Sequence, residues 1–404
     1  MSDPPSPSDR FRLGVNYWPA RTAMGWWSDF DCTEVAADFA RIAASGLDSI
    51  RIFLTWADFQ PTPSQVDRRM LDRLIAVADL AAGAGLALVP TLFTGHMSGV
   101  NWIPAWALGG SDRDERFRVV SNGRVTGCGL RSWYTDPLIA RAQALLATEA
   151  AGALAGHDAV WTWDLGNENS NCVIPPTRSS GREWLCRIAS AIRTADPDAQ
   201  LTLGLHMEDL EHDRVLGPSE ASEVCAVLSM HGYPIYASWA DGPTDEQLLP
   251  FLADVTRWLA GGRDLLFAEF GLPTFRRGDP VGDALGPRNA SLLVEEQAAA
   301  AYTERALAAL HRAGCVGAML WCYSDYDSAI WEEPPLDLAV HERSFGLWRA
   351  DGSPKPSVAV VEAFAGARRL AGPERYPWID LERHEFLVDP DVELPRLYGL
   401  YRSC

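Results

Sequence analysis

The sequence has no excess of positive charge. Its 404 residues carry 35 Lys plus Arg against 54 Asp plus Glu, a formal net charge of −19 at pH 7. An acidic surface of that kind repels phosphate backbones and anionic lipid, so no nucleic acid and no membrane is expected as a partner. No window approaches the roughly 18 consecutive apolar residues of a membrane-spanning helix. Met1 to Arg10 is a run of Pro, Ser and Asp without an apolar core, so residues 1–10 read as a disordered segment with no secretory signal. The eight cysteines contain no C-x-x-C pair, and several sit in apolar stretches, as Cys225 does in VCAVLSM and Cys315 in GCVGAML. Such thiols behave as small reduced hydrophobes, which points to a cytoplasmic address. There is no H-E-x-x-H, and His206 and His212 lack ligands at a familiar spacing, so no metal is expected. No G-x-G-x-x-G follows the first strand-like run, and no other cofactor signature is present.

What the sequence does have is a rhythm. Eight short apolar runs, at 13–18, 49–56, 86–93, 159–166, 200–206, 226–233, 264–271 and 316–323, alternate with stretches of helical period. Nearly continuous apolarity is the mark of strands buried on both faces of a parallel sheet. The helical stretches are 33–45, 67–82, 137–155, 181–195, 244–260, 291–313 and 357–370, with a weaker one at 207–223; in the first, Val35, Phe39 and Ile42 share a face. Gly46, Gly83, Gly85 and Gly314 punctuate the returns to the strands. Eight such repeats predict a single (β/α)8 TIM barrel, whose reactive groups sit at the C-terminal ends of the strands. Two connections are long, 94–136 and 324–356, and the first contains a hairpin turning at Ser121-Asn122-Gly123. No linker divides the chain. The expected organisation is a catalytic barrel over 11–370 and a C-terminal extension over 371–404 packed on it; the sequence says nothing of oligomeric state.

Two carboxylates stand out because their surroundings are apolar: Glu168 ends the fourth strand in WTWDLGNENSN, and Glu269 ends the seventh in LLFAEFG. Burying a lone carboxylate costs several kcal/mol, of order 2–7 even for a neutral polar group, so two at one barrel mouth imply a task. Paired carboxylates are what glycoside hydrolysis uses, one as proton donor and the other as nucleophile or base. Arg51, inside the apolar SIRIFLTW, needs a buried anion, either as a barrel-closing ion pair or beside Glu269, which it would keep ionised. Glu168 has no evident cationic neighbour and is expected to be the group with the raised pKa. Asn167 reads as a turn former or a sugar ligand, and His96, His231 and Tyr233 as core or pocket groups. The 16 tryptophans suit sugar stacking. Trp18, Trp56, Trp102, Trp106, Trp133, Trp239, Trp321 and Trp331 fall at or beyond strand ends, and Trp321 is the best placed to lie under a sugar.

At these residues the chain resembles glycoside hydrolase family 5. The motifs are GVNYWP, SIRIFLTW, the GNE of strand four, HGYP, AEFG, LWCY and the closing GLWRADGSPKPS, spread over residues 11–365. The resemblance implies a retaining glycosidase with Glu168 as acid/base and Glu269 as nucleophile, and with Arg51, His96, Asn167, His231, Tyr233 and Trp321 around the sugar. Asn169 stands where the family usually has proline. The chain is similar to the mannan-acting members, bacterial β-mannosidases among them. This implies an oligosaccharide substrate, either an exo-acting β-mannosidase on short manno-oligosaccharides or Man-β-1,4-GlcNAc, or an endo-β-1,4-mannanase or other β-glycanase. A non-catalytic sugar-binding barrel and a metal-dependent lyase or aldolase are the alternatives of other classes.

Overall fold

Short aliphatic and β-branched runs form eight strands that close on themselves in a computed structural model describing residues 9–110, 116–278 and 292–404. They are β1 (Arg12–Asn16), β2 (Ser49–Thr55), β3 (Ala87–Thr94), β4 (Trp163–Asn167), β5 (Leu201–His206), β6 (Val227–His231), β7 (Asp264–Phe270) and β8 (Gly317–Leu320). Each pairs in parallel with its sequence neighbours, and β8 returns to β1, so the barrel is closed. This is the (β/α)8 barrel expected from the rhythm. Residues 1–8 of the expected disordered segment lie outside the described residues, as does Ser291 at the start of the expected 291–313 helix.

The longer helices are α1 (Cys32–Ala44), α2 (Arg68–Gly83), α3 (Pro137–Ala153), α4 (Arg178–Ala195), α5 (Leu248–Leu259), α6 (Glu296–Arg312), α7 (Pro356–Phe364) and α8 (Pro390–Ser403). Asp31, Asp67 and Asp136 start α1, α2 and α3 by accepting bonds from backbone N–H groups of the first turn. In α1, Val35, Phe39 and Ile42 face the barrel. Two expectations need correction. The 207–223 stretch is two single turns, Glu208–Glu211 and Pro218–Ala221. Val215 at φ 66° and Pro218 at the start of the second turn prevent a continuous helix. The fourth strand begins at Trp163 rather than 159, because before it only a lone Leu88–Val160 bridge reaches β3.

Four strand pairings slip register at their C-terminal ends: Phe53/Thr55, Asp164/Asn167, Met230/His231 and Phe267/Phe270. An extra residue in one strand re-aims the side chains beyond it. Asn167, His231 and Glu269 lie at these slips.

The two long connections carry structure of their own. In the first, strands 96–97, 100–102, 118–121 and 124–126 form a small sheet. Its hairpin pairs Ser121 with Arg124 and turns through Asn122 and Gly123, both at positive φ, as a two-residue hairpin turn requires. The second connection meets it through Arg118, whose guanidinium grips Asp337 at 2.6 and 2.7 Å, and through Ser98, which donates to Glu342 at 2.9 Å.

The 371–404 segment, which shows no clear period in sequence because Pro395 and Gly399 interrupt it, contains α8. That helix lies over α5: the Tyr398 ring packs at a tilt against Phe251, its hydroxyl donates to Asp245 at 2.5 Å, and Leu394 and Leu397 are fully buried. Leu394→Ala is expected to lower the stability of the whole protein by about 2–5 kcal/mol in one cooperative urea transition. An unchanged midpoint would mean that α8 frays independently of the barrel.

Candidate active site

Arg51 points up the barrel axis from β2 and is completely buried. Its guanidinium is divided between two carboxylates. Nε and Nη2 donate to Asp164 Oδ2 at 2.9 and 2.7 Å, and Nη1 donates to Glu269 Oε1. The remaining bonds go to Asn167 Oδ1 at 2.8 Å, Asn16 Oδ1 at 3.1 Å and Thr91 Oγ1 at 3.0 Å. Arg51 therefore lies beneath the pocket, where it holds Glu269 and Asn167, and not on the wall that a sugar would touch.

Glu269 ends β7, and its other oxygen, Oε2, accepts from Tyr233 at 2.9 Å. Glu168 follows β4 in the left-handed region, φ 48° and ψ 47°, a strained placement for a residue with a side chain, costing of order 1–3 kcal/mol. Its backbone N–H is fixed to Gly204 at 2.9 Å. Histidines surround its carboxylate. His231 Nδ1 lies 2.9 Å from Oε1, while His96 Nε2 and His206 Nδ1 lie 3.8 and 3.9 Å from Oε2. Asn171 donates to Oε2 at 3.1 Å. His231 Nδ1 is also 3.5 Å from Glu269 Oε1, so one imidazole spans the pair. One oxygen of each glutamate and one nitrogen of His231 fall within 4.8 Å of one another. Among the described residues this is the one cluster with the spacing to receive a cation, and an ion there would compete with Arg51 for Glu269.

These contacts reverse the expected order of the two acids. Burial pushes the Glu168 carboxyl up, but His206 and the hydrogen bond from His231 more than offset it and hold it well below the ordinary range. Burial also pushes Glu269 up, and there it wins: His231 and Arg51 oppose it, Glu168 reinforces it, and the carboxyl stays above its ordinary value. The physical reason is the sharing of Arg51 with Asp164, while β5, β6 and the connection after β3 each bring an imidazole to Glu168. Sequence spacing reveals neither arrangement.

Seven of the eight expected site residues line one cavity of about 360 Å³, namely Glu168, Glu269, His96, Asn167, His231, Tyr233 and Trp321, with Arg51 below them. The 96–99 segment and Phe117 close it from the first long connection, and Ala339, His341 and Glu342 from the second. Trp321 Nε1 reaches Glu342 at 3.4 Å. The other tryptophans do not serve as platforms in this cavity. Trp18, Trp56 and Trp133 are core residues, Trp18 stacked on Phe53 and Trp56 against Trp133. Trp239 donates to Glu211 at 2.8 Å, and Trp331 lies under Arg343. The sequence reading missed Asp164, Asn171, His206, Tyr236 and Glu342. Asp164 had the signal that singled out Arg51, a charge inside an apolar strand, and His206 ends β5 as Glu168 and Glu269 end theirs.

The architecture is a (β/α)8 barrel whose strand ends bring two carboxylates together over one cavity. The chain is similar to proteins of glycoside hydrolase family 5, β-mannosidases among them. GH5_18 from Streptomyces cattleya, solved in complex with GlcNAc, superposes with a TM-score of 0.78 at 22% identity, over 97% of this chain and 90% of that one. Exo-beta-1,4-mannosidase Op5Man5 from Opitutaceae bacterium strain TAV5 is 26% identical, with a TM-score of 0.69 over 90% of this chain and 62% of that one. A GH5_18 from Bifidobacterium longum subsp. infantis gives 0.72 at 20% identity, over 90% and 80%. No family model and no curated protein matches the sequence. Among the described residues no helix is long and apolar enough to cross a membrane.

Asp164→Ala removes one of the two anions that hold Arg51 and leaves a buried charge short of a partner. We expect a loss of about 3–5 kcal/mol by urea denaturation, with Asp164→Asn milder. A loss under about 1 kcal/mol would mean that Glu269 alone suffices to hold the guanidinium.

Proposed function

We propose that this protein is a retaining β-mannosidase that removes single mannosyl units from the non-reducing end of short β-mannosides, Man-β-1,4-GlcNAc and manno-oligosaccharides among them. The carboxylate pair carries the reading. Its nearest oxygens lie within 4.8 Å, which favours the retaining spacing of about 5–5.5 Å over the 6.5–9.5 Å gap that admits a water. The substrate class rests on the likeness to Op5Man5 and to a GH5_18 from Streptomyces cattleya complexed with Manb1-4GlcNAc.

Glu269 is the nucleophile. Arg51 and Tyr233 hold its two oxygens, which orients the carboxylate toward an anomeric carbon above it. Glu168 is the acid/base. In the first step its proton passes to the glycosidic oxygen as that C–O bond breaks, and Glu269 forms an ester with the sugar. In the second, Glu168 takes a proton from water, the water oxygen attacks the anomeric carbon, and the ester bond to Glu269 breaks. His231 Nδ1 faces both carboxylates, 2.9 Å from Glu168 Oε1 and 3.5 Å from Glu269 Oε1, and so holds the two acids in register with one another. Asn167, held by Arg51 and donating to the His96 carbonyl at 2.9 Å, is placed to meet the neighbouring hydroxyl, and Trp321 to stack beneath the ring.

The exo preference rests on the seam between the two long connections, where Arg118–Asp337 and Ser98–Glu342 join the cavity walls. The eight free thiols suit a reducing, cytoplasmic compartment.

Glu168→Ala should still form the glycosyl ester from a substrate with a good leaving group, and azide should then rescue it to give the β-glycosyl azide. Glu269→Ala should give the α-azide through a single displacement. Proton NMR of the products decides, and exchanged anomers would reverse the roles. On mannohexaose, mannose should appear from the earliest time point. Mannobiose and mannotriose without mannose would instead establish an endo-β-1,4-mannanase. Chelators should leave turnover unchanged, and sensitivity to them would favour a metal-dependent lyase or aldolase.

A further inference from the structure

His206 is a buried ionisable group that the two-carboxylate mechanism does not require. It ends β5, and its ring is fixed from behind by a chain of hydrogen bonds. Nε2 donates to Ser170 Oγ at 2.9 Å, and Ser170 donates in turn to Asp209 Oδ1 at 2.6 Å. The second Asp209 oxygen accepts the backbone N–H of His206 at 3.0 Å. Ser170 has one proton, and it goes to the carboxylate, so Nε2 must carry the ring proton. The other nitrogen, Nδ1, faces Glu168 Oε2 at 3.9 Å. It bears hydrogen only when the ring is a cation, and a cation is what Asp209 behind and Glu168 in front both favour.

The charges around the ring come from every neighbouring element. Glu168 faces it from just after β4 and His96 from the 96–97 strand of the first long connection, while Asp209, Glu208, Glu211 and Arg214 lie on its own connection. Burial opposes the cation, but Asp209, Glu168 and Glu208 outweigh it, and the ring is held above the ordinary imidazole range. His96 is the reverse case: burial keeps it below that range despite Glu168 and Asn101. Its Nδ1 lies 2.8 Å from Asn101 Oδ1, so a lone pair faces Glu168. His231, the third imidazole at Glu168, stands between the two glutamates. Of these rings, His206 is the one whose surroundings fix a positive charge beside the acid/base.

We propose that His206, clamped as an imidazolium by Ser170 and Asp209, is a positioning residue that keeps Glu168 ionised and so serves the second, water-consuming half of the reaction. This rests on the retaining reading given above. In that half Glu168 must act as a base while Glu269, esterified, carries no charge. Without a fixed positive neighbour, a buried carboxylate there would hold its proton and stop activating water.

The test is the pH profile of a substrate whose good leaving group makes the second half rate-limiting, 2,4-dinitrophenyl β-mannoside. In His206→Gln the acid limb of kcat should move to higher pH by about one unit or more, the effect of losing an opposite charge within 4–6 Å. Asp209→Asn should move it in the same direction by less. Added azide, which needs no base, should restore kcat at low pH in both variants. An acid limb that stays in place in both would overturn the proposal, as would one that moves down. If His206→Gln does not fold, Asp209→Asn decides alone. Histidine ring NMR supplies a readout that needs no turnover. The His206 ring should be protonated at pH 7 in the unmodified protein and lose that proton at lower pH in Asp209→Asn. A neutral ring at pH 7 would sink the proposal even if the enzyme works, whereas an inert enzyme with a protonated ring would sink the β-mannosidase reading instead.

Discussion

One guanidinium divided between two carboxylates constrains everything above it. Arg51 is completely buried, and each of its donors is engaged with a group from another strand: Asn16 on β1, Thr91 on β3, Asp164 and Asn167 on β4, Glu269 on β7. A buried cation with this many bonds tolerates little displacement, since losing any partner leaves a desolvated donor unmatched. It therefore fixes β2, β4 and β7 relative to one another near their C-terminal ends. The same sharing limits what Arg51 can do for Glu269. With Asp164 taking two donors, the remaining charge does not overcome burial, and Glu269 stays above the ordinary carboxylate range.

The two glutamates are thus held by different physics. Glu269 sits at the register slip near the end of β7 between a permanent cation and a phenol, neither of which changes protonation state in the working range. Glu168 sits on a strained left-handed turn among imidazoles, of which His206 is held above its ordinary range, against burial, by Asp209, and His96 below it by burial. On the mechanism proposed above, Glu168 exchanges a proton in each cycle while Glu269 keeps its two partners, Arg51 and Tyr233. Asn169 belongs to the same turn. Its carbonyl accepts from Cys172 and Val173, and its side chain packs against Gly166, where a Cβ would come within 2.4 Å of it. A residue other than proline is therefore accommodated after Glu168 by tight packing under the turn.

The barrel was legible because its signals are local and repeated: eight apolar runs, glycine-marked returns, and helices of clear period. Glu168, Glu269 and Arg51 were legible for another local reason, charges set in apolar strands. What was not legible depended on the register of strands against one another. Asp164 is two residues before Gly166 and four before Glu168, yet its meeting with Arg51 depends on the pairing of β4 with β3, which sets it beside Thr91. His206 lies 38 residues from Glu168 by number, and its facing Nδ1 follows from hydrogen bonds to Ser170 and Asp209 that spacing does not encode. The tryptophans failed in the opposite way. Their positions at strand ends were read correctly, but a barrel mouth has an outer shell of packed loops as well as a pocket, and most of the indoles fill that shell.

The polarity of the cavity restricts its ligand further. Beyond the two glutamates at its floor, Glu208, Glu211 and Glu342 line its walls, on a chain whose net charge is already −19. Arg116 and Arg214 bind Glu208 at 2.6 and 2.9 Å, and Trp239 binds Glu211, so these carboxylates are held in place rather than free to swing away. Fixed carboxylates accept hydrogen bonds from sugar hydroxyls at little reorganisation cost, and they repel a ligand that brings its own negative charge into a desolvated space. A uronic acid or a phosphorylated sugar would meet that repulsion at several points at once. A neutral hexose with vicinal hydroxyls would meet acceptors instead, with Trp321 in the same lining. The acidity that set nucleic acid and membranes aside at the level of composition therefore recurs inside the pocket, and on the proposed function it would favour uncharged saccharides.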